Sequence, residues 1–428
     1  KSETSGRKTV FFTLSMLLAV LSLYSKVQAV TLVVSLLLVD YWLRRPLKLG
    51  VFLEKAPLFA ASVAMGLVNI HTLGKQGSTT DITGYNVFER LCIATWSFST
   101  YLYKLIIPSP MSPMYPYPLP MPWYIYASPV IAAAVFGATY WLWKNNRREW
   151  VFGFLFFFLN VAPMLQFVGA GQGYLADRFT YVPYFGFFFL AAWWYDQYQQ
   201  DAAKAMPVTI GLGVITLLFA YLTVRQIGIW KNGETLWTHV MKYQYDEETK
   251  KYKVALPFWN RGQFRRQNGD YDRALSDYTQ AVNINPKDPN LYISRGKTYF
   301  ELAGNNKIPA DKRQDFLQKA LGDYTAAIEK AAAANNILKK AEALVNRGAA
   351  YGMAGNYTPA LADLNEGIPL NPNHKNGYFN RSIVYMSLQQ YEAALADYSS
   401  YLKLDPYSSD ILYEKGMLER SMNKPDEA

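Results

Sequence analysis

Cysteine and histidine are scarce in this sequence. Its 428 residues contain one cysteine, Cys92, and three widely separated histidines, His71, His239 and His374. A single cysteine excludes an internal disulfide and a cysteine-based metal site. Three histidines in unrelated contexts do not predict a histidine metal site either. We therefore assign no metal ligands from the sequence, and the redox compartment is left open.

Charge is scarce in the first half of the chain. Of the 43 Lys/Arg and 33 Asp/Glu residues, residues 1–224 hold 16 and 9, which leaves 27 and 24 for residues 225–428. The mean hydropathy of −0.06 thus averages two unlike halves. A single soluble enzyme does not divide its charge in this way, whereas a membrane region followed by a water-exposed region does. We predict a transmembrane region over 1–224, a linker helix over 225–254 and a soluble region over 255–428.

The sequence also lacks a phosphate loop and a continuous basic face. Residues 169–173 are rich in glycine, but the strand and helix of a nucleotide cradle do not flank them, so we interpret them as a turn. The net charge of +10 lies mainly in a few short loops between apolar runs, a pattern that reports membrane orientation. We expect no nucleic-acid partner.

Long apolar runs fill the first half, and Trp and Tyr gather at many of their ends, as at a membrane interface. A spanning helix needs about 20 residues, so the shorter runs must extend into their flanks. The sequence predicts an all-α protein with a polytopic bundle of about seven spans. These are Val10–Tyr24, Val27–Leu43, Ala56–His71, Trp123–Trp143, Trp150–Val168, Phe179–Tyr195 and Val208–Thr223.

An eighth segment, Tyr85–Ile107, has polar residues at helical spacing on one face: Arg90, Ser97, Thr100 and Lys104. If this segment lies in the interface instead of crossing, the basic loops 44–48 and 144–148 fall on the same side of the membrane, as the positive-inside tendency requires. We therefore predict an outer interfacial or re-entrant helix within an outer loop 73–122. The turn 25–28, the loop 169–178 and everything after residue 223 then lie outside.

The second half repeats with a period near 34 residues, which is typical of tetratricopeptide helix pairs that stack into an α-solenoid. Shared features are an Arg-Gly or Asn-Arg step in the first helix, Ala-Leu and Asp-Tyr pairs in the second, and a closing proline. The predicted units are 255–288, 289–340, 341–374, 375–408 and an incomplete 409–428.

The second unit is longer than the others by about a dozen residues, and we predict a longer loop between its helices, including Asn305 and Pro309. Gly262, Gly296 and Gly348 are expected to allow close helix approach. The Asp-Tyr pairs are interpreted as scaffold. Such an array presents a concave face to a protein partner, whose identity the repeats do not reveal.

Charged residues at span ends are the candidates for chemistry. Lys26 lies in a short turn between two apolar runs, and Asp177 and Arg178 open another run. Ionisable groups at the membrane boundary are costly unless paired or used, and cations there suit a lipid-linked phosphate. The alternative is a snorkelling lysine and an Asp–Arg pair that anchors a helix. Likewise the loop Pro108–Pro122, with seven prolines and no charge, either lines a groove for sugar or lipid or acts as a stiff strap.

Three runs carry a resemblance to a known family: Leu21–Thr31 with its Ser-Lys turn, Tyr101–Pro118 with Tyr-Pro-Tyr-Pro, and Ala176–Pro183 with Ala-Asp-Arg-Phe. They resemble the transmembrane and tetratricopeptide repeat-containing O-mannosyltransferases and their bacterial relatives, over most of residues 10–410. The resemblance implies a lipid-phosphosugar glycosyltransferase of the C-type fold.

By the family pattern, Lys26 and Arg178 would face the donor phosphate, with Gln28 and Asp177 nearby, and Tyr181 completes the candidate set. Such enzymes place their acidic catalytic residue in the first outer loop, and this chain resembles the family only from a later span onward. The catalytic base, and any divalent metal, are therefore expected in a segment preceding Lys1. The catalytic residues stay unknown, and no cofactor is identified besides the lipid-phosphosugar donor.

Two functions are compatible with these features. In the first, the chain transfers sugar from a lipid phosphate to a protein or glycan acceptor on the outer face, and the repeats recruit the acceptor or partners. In the alternative, the membrane region anchors a non-catalytic repeat scaffold within a larger complex. The predicted location is a bacterial inner membrane with periplasmic repeats or, alternatively, the endoplasmic reticulum membrane with luminal repeats.

The orientation can be tested by cysteine labelling in intact membranes. In a Cys92→Ala background, a cysteine at Arg147 should be labelled from the side opposite to a cysteine placed in residues 255–428, because the basic loops are retained inside. Labelling of both positions from the same side would refute the predicted topology.

Overall fold

The structure is a computed structural model that describes residues 5–25, 27–46, 48–75, 85–108, 111–117, 120–165, 173–199, 201–243, 245–246, 251–252 and 254–423. The chain divides into two compact units, Lys1–Gly228 and Ile229–Ala428. Each is described by itself.

The first unit is mainly helical in its described part, with connecting loops and one isolated bridge between Tyr115 and Leu175. Short 3-10 helices at Val27–Thr31, Ala162–Met164 and Asp177–Thr180 interrupt the α-helices. The α-helices are α1 Ser5–Ser25, α2 Leu32–Trp42, α3 Leu49–Lys75, α4 Val87–Ile106, α5 Trp123–Tyr126, α6 Ser128–Lys144, α7 Arg148–Val161, α8 Phe185–Gln199 and α9 Ala202–Ile229.

Three stretches in the described part of the chain are long and apolar enough to cross a membrane: Leu49–Asn69, Trp123–Lys144 and Ala205–Ile229. The sequence predicts seven spans, so the structure supports fewer. The four others are shorter: α2, α7 and α8 have 11, 14 and 15 residues, and the apolar stretch of α1 is Val10–Ser25, against the roughly 20 residues that a span needs. The seven-span bundle therefore stays a prediction.

Helix α4 covers most of the segment that the sequence predicts as interfacial, and it begins with a capping box between Asn86 and Glu89. Its polar face is turned into the protein, because Ser97 and Lys104 are buried. Large apolar residues on the helix are exposed, among them Val87 at 82% and Ile106 at 75%. Other apolar residues of α4, such as Phe98 and Tyr101, are buried, so the side of the helix that faces the protein is both polar and apolar, and the interfacial position stays a prediction.

The main core of the first unit joins α4, α6 and α7 around Phe98, Tyr101 and Phe157. Helices α7 and α8 approach at backbone distance where Gly153 meets Gly186. A Cβ at Gly186 would lie 2.2 Å from the carbonyl oxygen of Gly153, so neither position has room for a side chain. This contact fixes the start of α8 and therefore the 3-10 turn just before it.

The second unit begins with α10 Gly233–Lys242 and a two-residue antiparallel pair, β1 Tyr245–Asp246 with β2 Lys251–Tyr252. The sequence predicts only a linker helix here. Helix pairs follow: α11 Leu256–Gln267, α12 Tyr271–Ile284, α13 Pro289–Ala303, α14 Ala310–Ala333, α15 Ile337–Met353, α16 Tyr357–Leu370, α17 Lys375–Ser387, α18 Tyr391–Leu404 and the single helix α19 Ser409–Asn423.

Each helix pair is held by a bidentate Arg–Asp ion pair between its two helices. In the last complete pair, Arg381 Nε and Nη2 donate to the two Asp397 oxygens at 2.8 and 2.7 Å. The same geometry recurs at Arg261–Asp277, Arg295–Asp323 and Arg347–Asp363. The remaining Nη1 donates to the preceding unit, as from Arg381 to Asn365 at 2.7 Å. Two-point pairing gives both energy and geometric specificity.

In some of these ion pairs a glycine follows the arginine. The side chain of the residue after the paired aspartate then packs against that glycine. A Cβ at Gly262 would lie 2.9 Å from the Tyr278 ring, and one at Gly296 would lie 2.8 Å from Tyr324. The predicted close approach is confirmed, and the Asp-Tyr pairs are scaffold.

The extra residues of the second repeat, 289–340, divide between the loop and the helix that follows it. The loop 304–309, which contains Asn305 and Pro309, is longer than the loop 268–270 of the first repeat, as the sequence predicts. Most of the insertion lengthens α14 to 24 residues, against 14 in α12 and α16, because the residues after Pro309 are good helix formers.

Removal of one buried pairing partner should destabilise the array strongly. Asp397→Ala leaves the Arg381 guanidinium unpaired at 21% side-chain exposure, and we expect a loss of about 3 kcal/mol. The matched control is Asp315→Ala, whose partner Lys319 is exposed, with an expected loss below about 1 kcal/mol. Urea titration of the helical circular dichroism of the full chain measures both. Equal shifts would contradict a stabilising role for the repeated pair.

Candidate functional site

Three of the five predicted site residues lie together, at the entry to α8. Asp177 and Arg178 are on the 3-10 turn Asp177–Thr180, and Tyr181 follows it directly. Gln28 lies in the 3-10 helix Val27–Thr31, with its side chain outside the described part. Lys26 lies outside the described residues.

Asp177 is a buried structural acceptor. Its Oδ2 accepts hydrogen bonds from the Ser112 backbone N–H at 2.9 Å and from the Tyr115 hydroxyl at 2.8 Å. The Lys104 ammonium lies 3.2 Å from Oδ1, and only 11% of the Asp177 side chain and 7% of the Lys104 side chain are exposed. With this set of donors, Asp177 is suited to fixing its neighbours rather than to meeting a ligand.

Burial shifts the pKa of two residues that contact the Asp177 carboxylate, Lys104 and Tyr115. Burial lowers the pKa of the Lys104 ammonium, and the Asp177 charge beside it offsets part of that shift. Burial, with the nearby Asp177 carboxylate, raises the pKa of the Tyr115 phenol above its ordinary value. Tyr115 therefore stays protonated at neutral pH and keeps donating to Asp177.

The proline-rich loop is anchored on this motif. Tyr115 pairs with Leu175 as an isolated antiparallel bridge, in which the Tyr174 N–H donates to the Tyr115 carbonyl at 2.9 Å. A Cβ at Gly173 would lie 2.5 Å from the same carbonyl oxygen, so the two chains touch there. In its described residues 111–117 the loop thus acts as the strap that the sequence offers as one alternative.

Arg178 has the opposite character from Asp177, because its side chain is exposed. One Nη donates to the Pro113 carbonyl at 3.1 Å, and the guanidinium lies 5.1 Å from the centre of the Phe179 ring. These contacts hold the cation at the rim of a groove without neutralising its charge.

The groove has a volume of about 410 Å³, and its walls come from one face of α2, from α7 and from residues 178–183. We call it the Arg178 groove. Its lining includes Thr31, Ser35, Leu36, Asn160, Arg178 and Tyr181. Apolar side chains dominate the walls, and the charge is at the rim.

A buried polar triad, which sequence reasoning missed, lies in the wall of this groove. Asn160 Oδ1 accepts from the Thr31 hydroxyl at 2.6 Å, and Asn160 Nδ2 donates to the Ser35 hydroxyl at 2.9 Å and to the Phe156 carbonyl at 2.8 Å. The signal in the sequence is an amide within the apolar run Trp150–Val168. Polar side chains in such runs usually pair with one another.

The same face of α2 borders a second groove of about 530 Å³. Ser22, Leu32, Leu36 and Val39 line both grooves, so the apolar surface is continuous along α2. At the end of α2 this surface reaches a charged cluster, in which the Lys55 ammonium lies 2.5 Å from Asp40 Oδ2 and Arg45 pairs with Glu54.

The arrangement suits an amphiphilic ligand: an anionic group at Arg178 and an apolar chain along α2. The lining of the Arg178 groove, in the part of the chain that the structure describes, contains no carboxylate. The described residues also bring no three metal-ligating side chains together, so we place no metal in this groove. No general base can be assigned among the described residues that line this groove.

Comparison with known proteins bears mainly on the second unit. A family model described as TPR repeat matches residues 262–302, and one described as Tetratricopeptide repeat matches residues 376–408. The chain therefore contains tetratricopeptide repeats, as the 34-residue period predicts.

Two curated proteins show weak similarity. Protein O-mannosyl-transferase TMTC3 of Mus musculus is 23% identical over 137 residues, which covers 32% of this chain and 14% of that protein. Tetratricopeptide repeat protein 6 of Homo sapiens is 24% identical over 169 residues, covering 27% of this chain and 32% of that protein. The aligned parts span a third or less of these relatives.

Solved structures with similar folds include the MamA protein, at a TM-score of 0.32 and 20% identity, covering 40% of this chain and 85% of that one. A tetratricopeptide protein of Thermus thermophilus has a TM-score of 0.36 and 16% identity, covering 46% and 95%.

Hydrogen exchange can test whether Asp177 anchors residues 111–117 while Arg178 does not. Asp177→Ala removes the charge partner of Lys104 and two acceptor contacts, so we expect faster exchange in residues 111–117 and a loss of about 3 kcal/mol. Arg178→Ala, the matched control on the neighbouring residue, removes one hydrogen bond of an exposed side chain and should change stability by less than about 1 kcal/mol. An unchanged strap in Asp177→Ala would contradict the anchoring role.

Proposed function

We propose that this chain is an integral membrane protein of the glycosyltransferase type that binds a lipid-phosphate sugar donor in the Arg178 groove. The observation that carries the proposal is the position of Arg178, an exposed cation at the rim of an apolar groove that continues along α2. The repeats recruit the protein or glycan acceptor or partner proteins. The weak similarity to an O-mannosyl-transferase supports the reaction class.

In this proposal Arg178 holds the phosphate, with Lys26 as a second cation, and the lipid chain packs on α2. Gln28 and Tyr181 flank the phosphate, while Asp177 acts through the strap. As the sugar leaves its phosphate, negative charge grows on that phosphate, and a fixed guanidinium stabilises it. The acceptor hydroxyl must lose its proton to a carboxylate that this groove does not supply.

The proposal includes the seven-span topology and an outward-facing site with the repeats on the same side. The membrane is a bacterial inner membrane, or the endoplasmic reticulum membrane as the alternative. Within the described residues, the absence of a carboxylate in the groove favours a second function, a non-catalytic membrane-anchored repeat scaffold. The two differ in whether sugar is transferred, and both bind lipid.

Binding of polyprenyl phosphate tests the site. With the full chain in nanodiscs, Arg178→Ala should weaken binding tenfold to a hundredfold, since a hydrogen bond to a charged group contributes about 1.5–3 kcal/mol. Arg147→Ala, an exposed arginine in a different loop, is the matched control and should bind normally. Equal affinity of both variants and the unmodified chain for polyprenyl phosphate would contradict the assignment of the Arg178 groove as its binding site.

Transfer distinguishes enzyme from scaffold. With a polyprenyl-phosphate sugar and an acceptor polypeptide, Lys26→Ala and Arg178→Ala should abolish transfer while the protein still assembles in the membrane. Transfer that persists in both variants would count against the proposed site. These assays use the protein together with the segment that precedes Lys1, in which the base is expected, and lipid binding without transfer by that protein would favour the scaffold.

A further inference from the structure

A third groove in the first unit shares no lining residue with the two grooves described above. It has a volume of about 270 Å³, and its walls come from α2, α3, α6 and α7. Its residues on α2 are Val34, Leu37, Leu38 and Tyr41. The α2 residues of the Arg178 groove are Leu32, Ser35, Leu36 and Val39. At roughly 3.6 residues per turn, the two sets lie on opposite sides of the helix. We call this separate site the Tyr41 groove.

The walls of the Tyr41 groove are apolar, and its aromatic residues include Tyr41 and Trp143, each one residue before the end of its helix. Trp143 and Phe52 are 54% and 47% exposed, so the groove is open to its surroundings. The sequence predicts the inner face of the membrane at this end of α2 and α6, and Trp and Tyr are typical of such an interface. An open apolar groove between helices at this level suits a lipid acyl chain.

A guanidinium without an anionic partner lies beside this groove. The Arg148 Cζ is 5.2 Å from the centre of the Tyr41 ring. Arg148 Nη1 is buried and has no hydrogen-bond partner among the described residues. A buried charged donor without an acceptor is costly, and an anion bound to the same guanidinium would lower that cost. Arginine pairs its N–H donors with phosphate oxygens, so the position of Arg148 points to a phosphate ligand.

The chain segments that leave the groove at Tyr41 and Trp143 are basic. Residues 41–50 contain three Arg or Lys residues and no acid, and residues 140–152 contain three against the single acid Glu149. Arg45 is paired with Asp40 and Glu54, which leaves the other cations in excess. Positive charge at a membrane surface attracts anionic headgroups. A zwitterionic headgroup gains less, because its ammonium group is repelled.

We propose that the Tyr41 groove binds an anionic phospholipid of the inner leaflet. One acyl chain packs against Leu37 and Leu155, and the headgroup phosphate accepts hydrogen bonds from the Arg148 guanidinium. Lys144 and Arg147, exposed in the same loop, add positive potential. The site requires the membrane location that we propose, but neither the donor site nor sugar transfer. It lies on the opposite side of α2 from the Arg178 groove, so the bound phospholipid is a ligand additional to the donor.

Native mass spectrometry of the full chain released from detergent micelles tests the proposal, because it measures the binding of single lipids. The probes are phosphatidylglycerol and phosphatidylcholine with the same palmitoyl and oleoyl chains. We expect phosphatidylglycerol to bind about tenfold more tightly. Arg148→Gln should remove this preference, and Arg148→Lys should keep part of it, since lysine retains the charge without the planar set of donors. Leu37→Trp fills the groove and should weaken both lipids equally.

Arg225→Gln is the matched control, since Arg225 is an exposed arginine of α9, a helix that contributes no residue to the Tyr41 groove. It should leave the preference for phosphatidylglycerol unchanged. Thermal unfolding of the helical circular dichroism checks that each variant folds. Equal binding of both lipids by the unmodified chain would overturn the proposal. An equal loss of preference in Arg148→Gln and Arg225→Gln would do the same, because it indicates general attraction to a basic surface.

The donor site and the Tyr41 groove can be separated by exchanging probes and variants. Arg148→Gln should bind polyprenyl phosphate normally, and Arg178→Ala should keep the preference for phosphatidylglycerol. Weaker binding of polyprenyl phosphate by Arg148→Gln would assign the Tyr41 groove to the donor and overturn the phospholipid site. Failure of the unmodified chain to bind polyprenyl phosphate, with the preference for phosphatidylglycerol intact, would contradict the donor site alone.

Discussion

A carboxylate that is shielded from water must receive hydrogen-bond donors from the protein, and this requirement organises both units. In the repeats, each buried aspartate takes the two ends of one guanidinium, as Asp397 does from Arg381. In the first unit, Asp177 collects donors from α4 and from the strap. The positions of whole helices and of a proline-rich loop follow from these few oxygens.

The carboxylate in the first unit also places the binding residue. Asp177 and Arg178 are adjacent in the chain. The residues that donate hydrogen bonds to Asp177 cover one side of the 3-10 turn Asp177–Thr180. Arg178 is then left exposed at the rim of the groove, with a backbone carbonyl as its hydrogen-bond partner. The charged pair divides into a residue that fixes the backbone and a residue that faces a ligand, a division that neither sequence-based alternative contains.

The repeats were predictable because their determinants are local and periodic: arginine, glycine, alanine and aspartate at fixed spacing within 34 residues. The long α14 was not predicted, although Pro309 and Asp311 are signals for the start of a helix. The Lys104–Asp177 pair and the Thr31–Ser35–Asn160 triad were not predictable, because their members are 73 and up to 129 residues apart in sequence. A hydropathy profile treats such residues as interruptions of apolar runs, whereas in the fold they form hydrogen bonds and an ion pair with one another.

Two buried amides show how satisfied and unsatisfied polar groups differ. Asn160 has both ends of its amide satisfied by Thr31, Ser35 and the Phe156 carbonyl, so it stabilises the wall of the Arg178 groove and offers nothing further to a ligand. Asn346 has a buried nitrogen without a partner among the described residues. An unmet donor costs free energy that a ligand can restore, whereas the satisfied Asn160 leaves the Arg178 groove to recognise its ligand through charge and apolar contact.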